Sequence, residues 1–159
     1  MHERKGIGAM RAVVQRVTSA GVTVQGVEVS RIGRGLCCLI GIEVDDGPDD
    51  LDYIARKIVG LRVFDDAAGI MNCDITAAAG DLLLISQFTL LGDARKGRRP
   101  SYSRAEPPES ARKKFEDFLA LVKGVFAGTV ETGQFQAMME ISIVNHGPVT
   151  ILLDSRKLF

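Results

Sequence analysis

Two short segments of this 159-residue chain carry residue types equipped for chemistry: Ser86-Gln87-Phe88-Thr89-Leu90 and Asn145-His146-Gly147-Pro148-Val149-Thr150. The first follows the apolar run Leu82-Leu83-Leu84-Ile85, and the second follows Ile141-Ser142-Ile143-Val144. Each puts hydroxyl and amide groups at the end of an expected buried strand, where polar groups are costly unless paired or used. The second also sets a Gly-Pro step in a strand-like context, where proline cannot donate to a ladder. The alternative for Ser86 and Thr89 is purely local, namely satisfying strand-end backbone groups.

Three familiar site types do not fit. His2 lies in the N-terminal tail and His146 is the only other imidazole, so no Ser-His-Asp set can be assembled. Cys37, Cys38 and Cys73 form neither a CxxC pair nor a zinc spacing, and no cofactor or metal is expected. Adjacent and flanked by apolar residues, Cys37 and Cys38 read as inert buried thiols of a reducing compartment. Gly33-Arg34-Gly35 lacks the third glycine of a dinucleotide fingerprint. Asp45, Asp46, Asp49 and Asp50 read as a turn and a helix N-terminus rather than a catalytic acid pair. Met138 and Met139 read as core or pocket lining. What remains open is a lightly equipped hydrolase acting on an already reactive substrate.

Twenty basic and twenty acidic residues cancel, but unevenly along the chain. From Ala94 to Lys114 eight cations face two acids, Glu106 and Glu109. That asymmetry suits a phosphate-bearing partner, with Arg95, Lys96, Arg98, Arg99 and Arg104 as candidate contacts. A solvated basic loop and helix start is the other reading. Tyr102 is the single aromatic there, too little for stacking on single-stranded bases. No apolar stretch approaches the roughly 20 residues that span a bilayer. Residues 1–9 lack the apolar core of a secretory signal and read as an extension or expression remnant. A cytoplasmic location is expected.

The elements that must position these residues read as strands first. Ala12 to Val17, Val22 to Val24, Val27 to Ile32 and Leu36 to Ile42 are rich in β-branched residues and separated by Gly21, Gly26 and Gly33 to Gly35. Leu36 to Ile42 has the continuous apolar character of a strand buried on both faces. Leu51, Ile54, Ala55 and Ile58 recur with helical spacing after Pro48. Leu61 to Phe64 and Leu82 to Phe88 are further strands. The long loop from Gly92 to Pro108 favours a functional role. A second helix after Pro107-Pro108 turns Ala111, Phe115, Phe118, Leu119 and Val122 to one side. Two last strands run from Met138 to Asn145 and from Val149 to Leu153. The expected class is α+β, a mainly antiparallel, barrel-like sheet with two main helices in a single domain over residues 10–154.

Both segments resemble the two signature motifs of the D-aminoacyl-tRNA deacylases, the D-tyrosyl-tRNA deacylase family. The resemblance runs from Met10-Arg11-Ala12-Val13-Val14-Gln15-Arg16-Val17 through Ile32-Gly33-Arg34-Gly35-Leu36 to Thr150. It implies hydrolysis of the ester of a D-aminoacyl-tRNA, and of glycyl-tRNA, as chiral proofreading in translation. Ser86, Gln87, Phe88 and Thr89 would then form the catalytic segment, shaping the site more than reacting. The aminoacyl ester suits this, because an α-ammonium and a ribose hydroxyl already activate it. Positioning and oxyanion stabilisation can supply most of the barrier reduction. Backbone N–H groups near Phe88 and Thr89 are the candidate oxyanion donors.

The resemblance further implies a homodimer with the active site at the subunit interface. In it Gly147 and Pro148, with Asn145, Val149 and Thr150, would enter the partner's site through a cis peptide bond and reject L-amino acids sterically. Arg16 would brace that loop, the alternative being a surface strand arginine. The acceptor end of tRNA would meet the basic stretch from Arg95 to Arg104. The alternatives are a relative that edits mischarged L-alanyl-tRNA, an inactive RNA-binding relative, and a small-molecule esterase. Ser155 to Phe159 runs past the resemblance as a C-terminal tail with no expected role.

Overall fold

The computed structural model describes residues 9–159. Of the extension expected over residues 1–9, all but Ala9 lies outside the described residues, His2 included. The elements in chain order are β1 (Arg11–Val24), β2 (Val27–Ile32), β3 (Gly35–Gly41), α1 (Pro48–Gly60), β4 (Phe64–Asp65), β5 (Met71–Cys73), β6 (Asp81–Ser86), a 3-10 turn (Phe88–Leu91), α2 (Pro108–Val125), β7 (Val130–Thr132) and β8 (Glu140–Asp154).

β1 organises the sheet. Along one edge its first half pairs antiparallel with β3 and its second half with β2; β8 runs antiparallel along the other edge. From β3 the sheet continues in parallel through β6 to β7. The result is a curved, barrel-like mixed sheet with two helices, an α+β fold. The parallel centre has a sequence cause. β3 and β6 are the two nearly unbroken apolar runs, and strands buried on both faces are the ones parallel sheets use. The crossover between them holds α1 and the β4–β5 hairpin.

Two apolar clusters follow from the pleat, since alternate residues face opposite sides. The larger lies under the helices and joins Leu36, Cys38, Ile40, Leu82 and Leu84 to Ile54 and Ile58 of α1 and Phe115, Phe118 and Val122 of α2. The smaller lies on the opposite face around Val17, Val22, Cys37, Leu83 and Ile85. Adjacent Cys37 and Cys38 thus enter different cores, both fully buried. Burial pushes the Cys37 thiol up to about 11 and raises Cys38 well above the usual thiol value.

Several element boundaries differ from expectation. Gly21 is no turn: β1 runs through it, and a Cβ there would meet Arg31 Nη2 at 3.0 Å and the Ser30 carbonyl at 3.3 Å, so it serves close approach to β2. The expected strand from Leu61 is confined to Phe64–Asp65. β6 stops at Ser86, where a 3-10 turn takes over. The two expected final strands are one, β8, carrying an excursion described below.

Candidate active site

The Ser86–Leu91 segment lies over the end of β3. Gln87 N–H donates to the Ile40 carbonyl at 2.7 Å, Leu90 N–H to Gln87 at 3.3 Å and Gly92 N–H to Thr89 at 3.0 Å. Gly41 permits this packing: a Cβ there would stand 2.5 Å from Leu91 Cδ2 and 2.8 Å from Leu90 Cβ. Arg11 ties the turn to β1 by donating to the Leu90 carbonyl at 3.1 Å.

This segment forms one wall of a cavity of about 720 Å³. Tyr102, Ala105 and Glu106 supply a second wall from the long loop, and Pro108 and Ala111 a third from α2. Phe135, Gln136, Ala137, Met138 and Met139 close it. Phe88 and Tyr102 meet edge to face at 5.4 Å and stay exposed at the mouth, beside Met138 at 91% exposure.

The chemical groups in the cavity are few. Thr89 Oγ1 accepts a hydrogen bond from the Gln87 amide at 3.0 Å, and an amide cannot take its proton. The carboxylate on the wall is Glu106. Burial pushes it up, but hydrogen bonds from Ser110 and Lys114 and attraction to Lys114 outweigh this and leave it below the usual value. It accepts from Ser110 Oγ at 2.7 Å and Lys114 Nζ at 2.9 Å, which makes it a weak base already in use. The N–H groups of Phe88 and Thr89 open the 3-10 turn and have no hydrogen-bond acceptor among the described residues. The wall therefore offers donors and shape rather than a nucleophile with a base.

The long loop is pinned by Glu43, a fully buried carboxylate at the end of β3 that the sequence reading passed over. Glu43 accepts from Arg104 Nε, from the Ala9 N–H and from Arg156 Nη2 at 2.9 Å. Its own N–H donates to Asp46 at 2.7 Å. Met10 N–H also donates to Ser155 Oγ at 3.0 Å, so the C-terminal tail clasps the start of β1. Of the candidate phosphate contacts, Arg104 is thus held by Glu43, and Arg95 pairs with Asp93 at 2.6 Å. Lys96, Arg98 and Arg99 are exposed at the loop tip, between the paired Asp93 and Ser101. They make no hydrogen bond or ion pair through their side chains among the described residues, although the Lys96 charge is felt at Asp93.

The Asn145–Thr150 segment lies apart from this cavity in the same chain, for none of its residues lines the wall. β8 pairs Asn145 with Val17 and Thr150 with Gln15, so four β8 residues stand opposite the single Arg16. Those four, His146 to Val149, bow out, and the Gly147–Pro148 peptide is cis with both residues exposed. Asn145 closes the base of the excursion: its Oδ1 accepts from Val149 N–H at 3.1 Å and its amide donates to Thr150 Oγ1 at 3.2 Å. Arg16, only 8% exposed, donates to the His146 carbonyl at 3.0 Å and to the Val63 carbonyl at 2.8 Å. Asn145, Thr150 and Arg16 hold the loop; Gly147 and Pro148 present its backbone.

Phe135 and Gln136 were also missed, because the stretch before β8 has no periodic pattern. A charged residue placed directly after a buried strand was the available signal for Glu43.

A curved sheet with two helices, a wall of strand-end polar groups and an exposed Gly-Pro loop define one group of proteins. This chain belongs to the D-Tyr-tRNA(Tyr) deacylase family, whose profile matches residues 13–154. The D-aminoacyl-tRNA deacylase of Syntrophobacter fumaroxidans is 54% identical over 150 residues, covering 94% of this chain and all of its own. The solved structure of a c-Myc DNA Unwinding Element Binding Protein superposes with a TM-score of 0.86 at 41% identity, over 90% of this chain and 97% of its own. A probable eukaryotic D-amino acid tRNA deacylase shares the fold, with a TM-score of 0.75 at 19% identity over 92% of this chain and 99% of its own.

Proposed function

We propose that this chain hydrolyses the ester of D-aminoacyl-tRNA in the cytoplasm, releasing tRNA and a D-amino acid and so removing wrong-handed residues before translation. The observation that carries the reading is a cavity walled by Ser86–Thr89 in a member of this deacylase family. Water adds to the ester carbonyl and the acyl–oxygen bond breaks, with the proton passing to the ribose oxygen that leaves. The substrate's own 2′-hydroxyl assists, since Thr89 has no base to activate it. Phe88 and Thr89 N–H groups stabilise the oxyanion, and Ser86 and Gln87 shape the wall around it.

Chiral selection belongs to the Gly147–Pro148 backbone of a second copy in a homodimer. In support, the loop is exposed, is braced by Asn145 and Arg16, and lies away from its own cavity. Braced carbonyls reject an L side chain by clash, which is specificity by exclusion. Glycine has nothing to exclude, so glycyl-tRNA is a substrate as well. Lys96, Arg98 and Arg99 receive the acceptor strand, and the terminal adenosine lies by Ser86–Thr89; Arg95 and Arg104, already paired, contribute through the shape of the loop.

The deciding measurement compares deacylation of D-tyrosyl-, L-tyrosyl-, L-alanyl- and glycyl-tRNA at equal enzyme. Loss of the D-ester and the glycyl ester with both L-esters spared is expected. Selective loss of the L-alanyl ester would replace this reading with editing of mischarged L-amino acids. Binding without any hydrolysis would leave a nucleic-acid-binding relative.

A further inference from the structure

Arg112 is the cation near the cavity whose surroundings a solvated helix face does not explain. It is exposed on the first turns of α2, next to Ala111 of the cavity wall. Glu109 and Glu116 stand at its i−3 and i+4 positions, where an exposed helical arginine gains a few tenths of a kcal/mol by pairing. Its neighbour Lys113 does pair in this way, with Asp117 at 3.5 Å. Arg112 pairs with neither acid. Its guanidinium carbon instead lies 4.8 Å from the centre of the Phe135 ring. Phe135 lines the cavity, and its ring stands 6.4 Å from Phe115, which stands 6.2 Å from the fully buried Phe118. A file of three rings therefore runs from the core to the guanidinium and holds it over an aromatic face.

A cation–π contact takes up no hydrogen-bond acceptor, so the five N–H donors of the guanidinium keep their capacity for a ligand. No hydrogen-bond acceptor or ion-pair partner holds Arg112 among the described residues. A guanidinium held beside two lining residues of a cavity, Ala111 and Phe135, is suited to a two-point acceptor such as a phosphate. The ordering cost that a free surface arginine meets on binding is already met by the ring. The loop-tip cations Lys96, Arg98 and Arg99 extend from the Tyr102 wall, whereas Arg112 rises from the α2 wall. Cations unpaired among the described residues therefore lie on both the loop and the helix that supply walls of the cavity.

We propose that Arg112, held over the Phe135 ring, is a phosphate-binding residue for the RNA backbone, engaging the phosphate 5′ to the terminal adenosine. This rests on the reading that the aminoacylated adenosine occupies the cavity. Two probes separate the claims: adenosine carrying D-tyrosine through a 3′-amide, and the same compound with a 5′-phosphate. In the wild-type protein at low salt the phosphate is expected to tighten binding roughly tenfold, the scale of one charge-assisted contact. In Arg112→Ala that gain falls to near unity, and in Arg112→Lys, which keeps the charge but not the planar fork, it is intermediate. With full-length D-aminoacyl-tRNA, Arg112→Ala also lowers the slope of log affinity against log salt by about one. An undiminished phosphate gain in Arg112→Ala overturns the Arg112 assignment alone. If the phosphate-free probe does not bind the wild-type protein, the cavity reading falls and this proposal with it.

Discussion

At the scale of single residues, the site is notable for how its polar groups are already engaged. Gln87 occupies the Thr89 hydroxyl, Ser110 and Lys114 occupy Glu106, and Asn145 spends both amide atoms inside its own loop. Such groups position their neighbours better than they react. Asp46 is the costly exception. Its Oδ2 accepts from Glu43 N–H at 2.7 Å, but Oδ1 is buried without a partner among the described residues. Burial, with the nearby Asp50 and Glu43 charges, pushes its carboxyl up to about 7 from an ordinary value of 3.8. The folded protein therefore holds a proton that the unfolded chain has released between about pH 4 and 7. The Asp46 contribution to stability is complete below about pH 4 and is lost as pH rises through 7. Asp46→Asn keeps an acceptor for Glu43 and removes the ionisation. Its stability relative to wild type should rise by on the order of 2–4 kcal/mol from pH 4 to 8. Denaturant midpoints across that range test this, and a parallel pH dependence of the two proteins would refute it.

At the scale of elements, the Ser86–Leu91 segment is a strand end that changes into a 3-10 turn because its neighbour has no side chain. Gly41 is that neighbour, and Gly41→Ala pushes a Cβ into Leu90 Cβ and Leu91 Cδ2. The turn must move, and overpacking of this kind costs about 1–3 kcal/mol. Because Phe88 and Thr89 ride on the turn, deacylation should fall at least about tenfold, as sub-ångström to ångström misplacement does in catalysis. Gly33→Ala is the control: it has open space around it, and neither stability nor rate should change appreciably. Equal rates for the two variants would mean that the turn does not set the geometry. The β8 excursion is the second element-scale device. Four residues opposite one make a loop inside a strand, and the register resumes on both sides. The loop thus emerges from a rigid edge rather than from a free hairpin.

At the scale of the molecule, the two motifs occupy different surfaces of one chain. The proposed homodimer joins them, which makes complementation the sharpest test. A Thr89→Pro chain, which lacks the oxyanion-binding N–H, and a Pro148→Ala chain should each lose chiral deacylation alone. Co-refolded or co-expressed, they should regain it, since one of the two sites in a mixed dimer is then intact. No recovery in a demonstrated mixed dimer would require both motifs to act within one chain. The tail belongs to this scale too. Ser155 and Arg156 join the chain's end to Met10, Glu43 and, through Glu43, the Arg104 loop.

The sequence alone determined what depends on local pattern. The helical spacing of Leu51, Ile54, Ala55 and Ile58 announced a face that is buried, and the unbroken apolar runs announced β3 and β6. The Ser86–Thr89 segment was legible because polar groups at the end of a buried strand are expensive unless they have work. The strand before Asn145, expected to be buried, instead alternates half-buried and exposed residues, with Val144 55% exposed. What marked the second segment was its Gly-Pro step. Tertiary structure decided everything that depends on which strands become neighbours. Gly21 looked like a turn because glycine breaks local pattern equally for a bend and for close approach; only the position of β2 separates the two. The basic stretch looked uniformly available, yet Glu43, distant in sequence, claims Arg104, while Lys96, Arg98 and Arg99 form no ion pair among the described residues. Arg112 and Phe135 carry no mutual signal in sequence, because a ring and a guanidinium meet only once α2 and the segment before β8 are packed together.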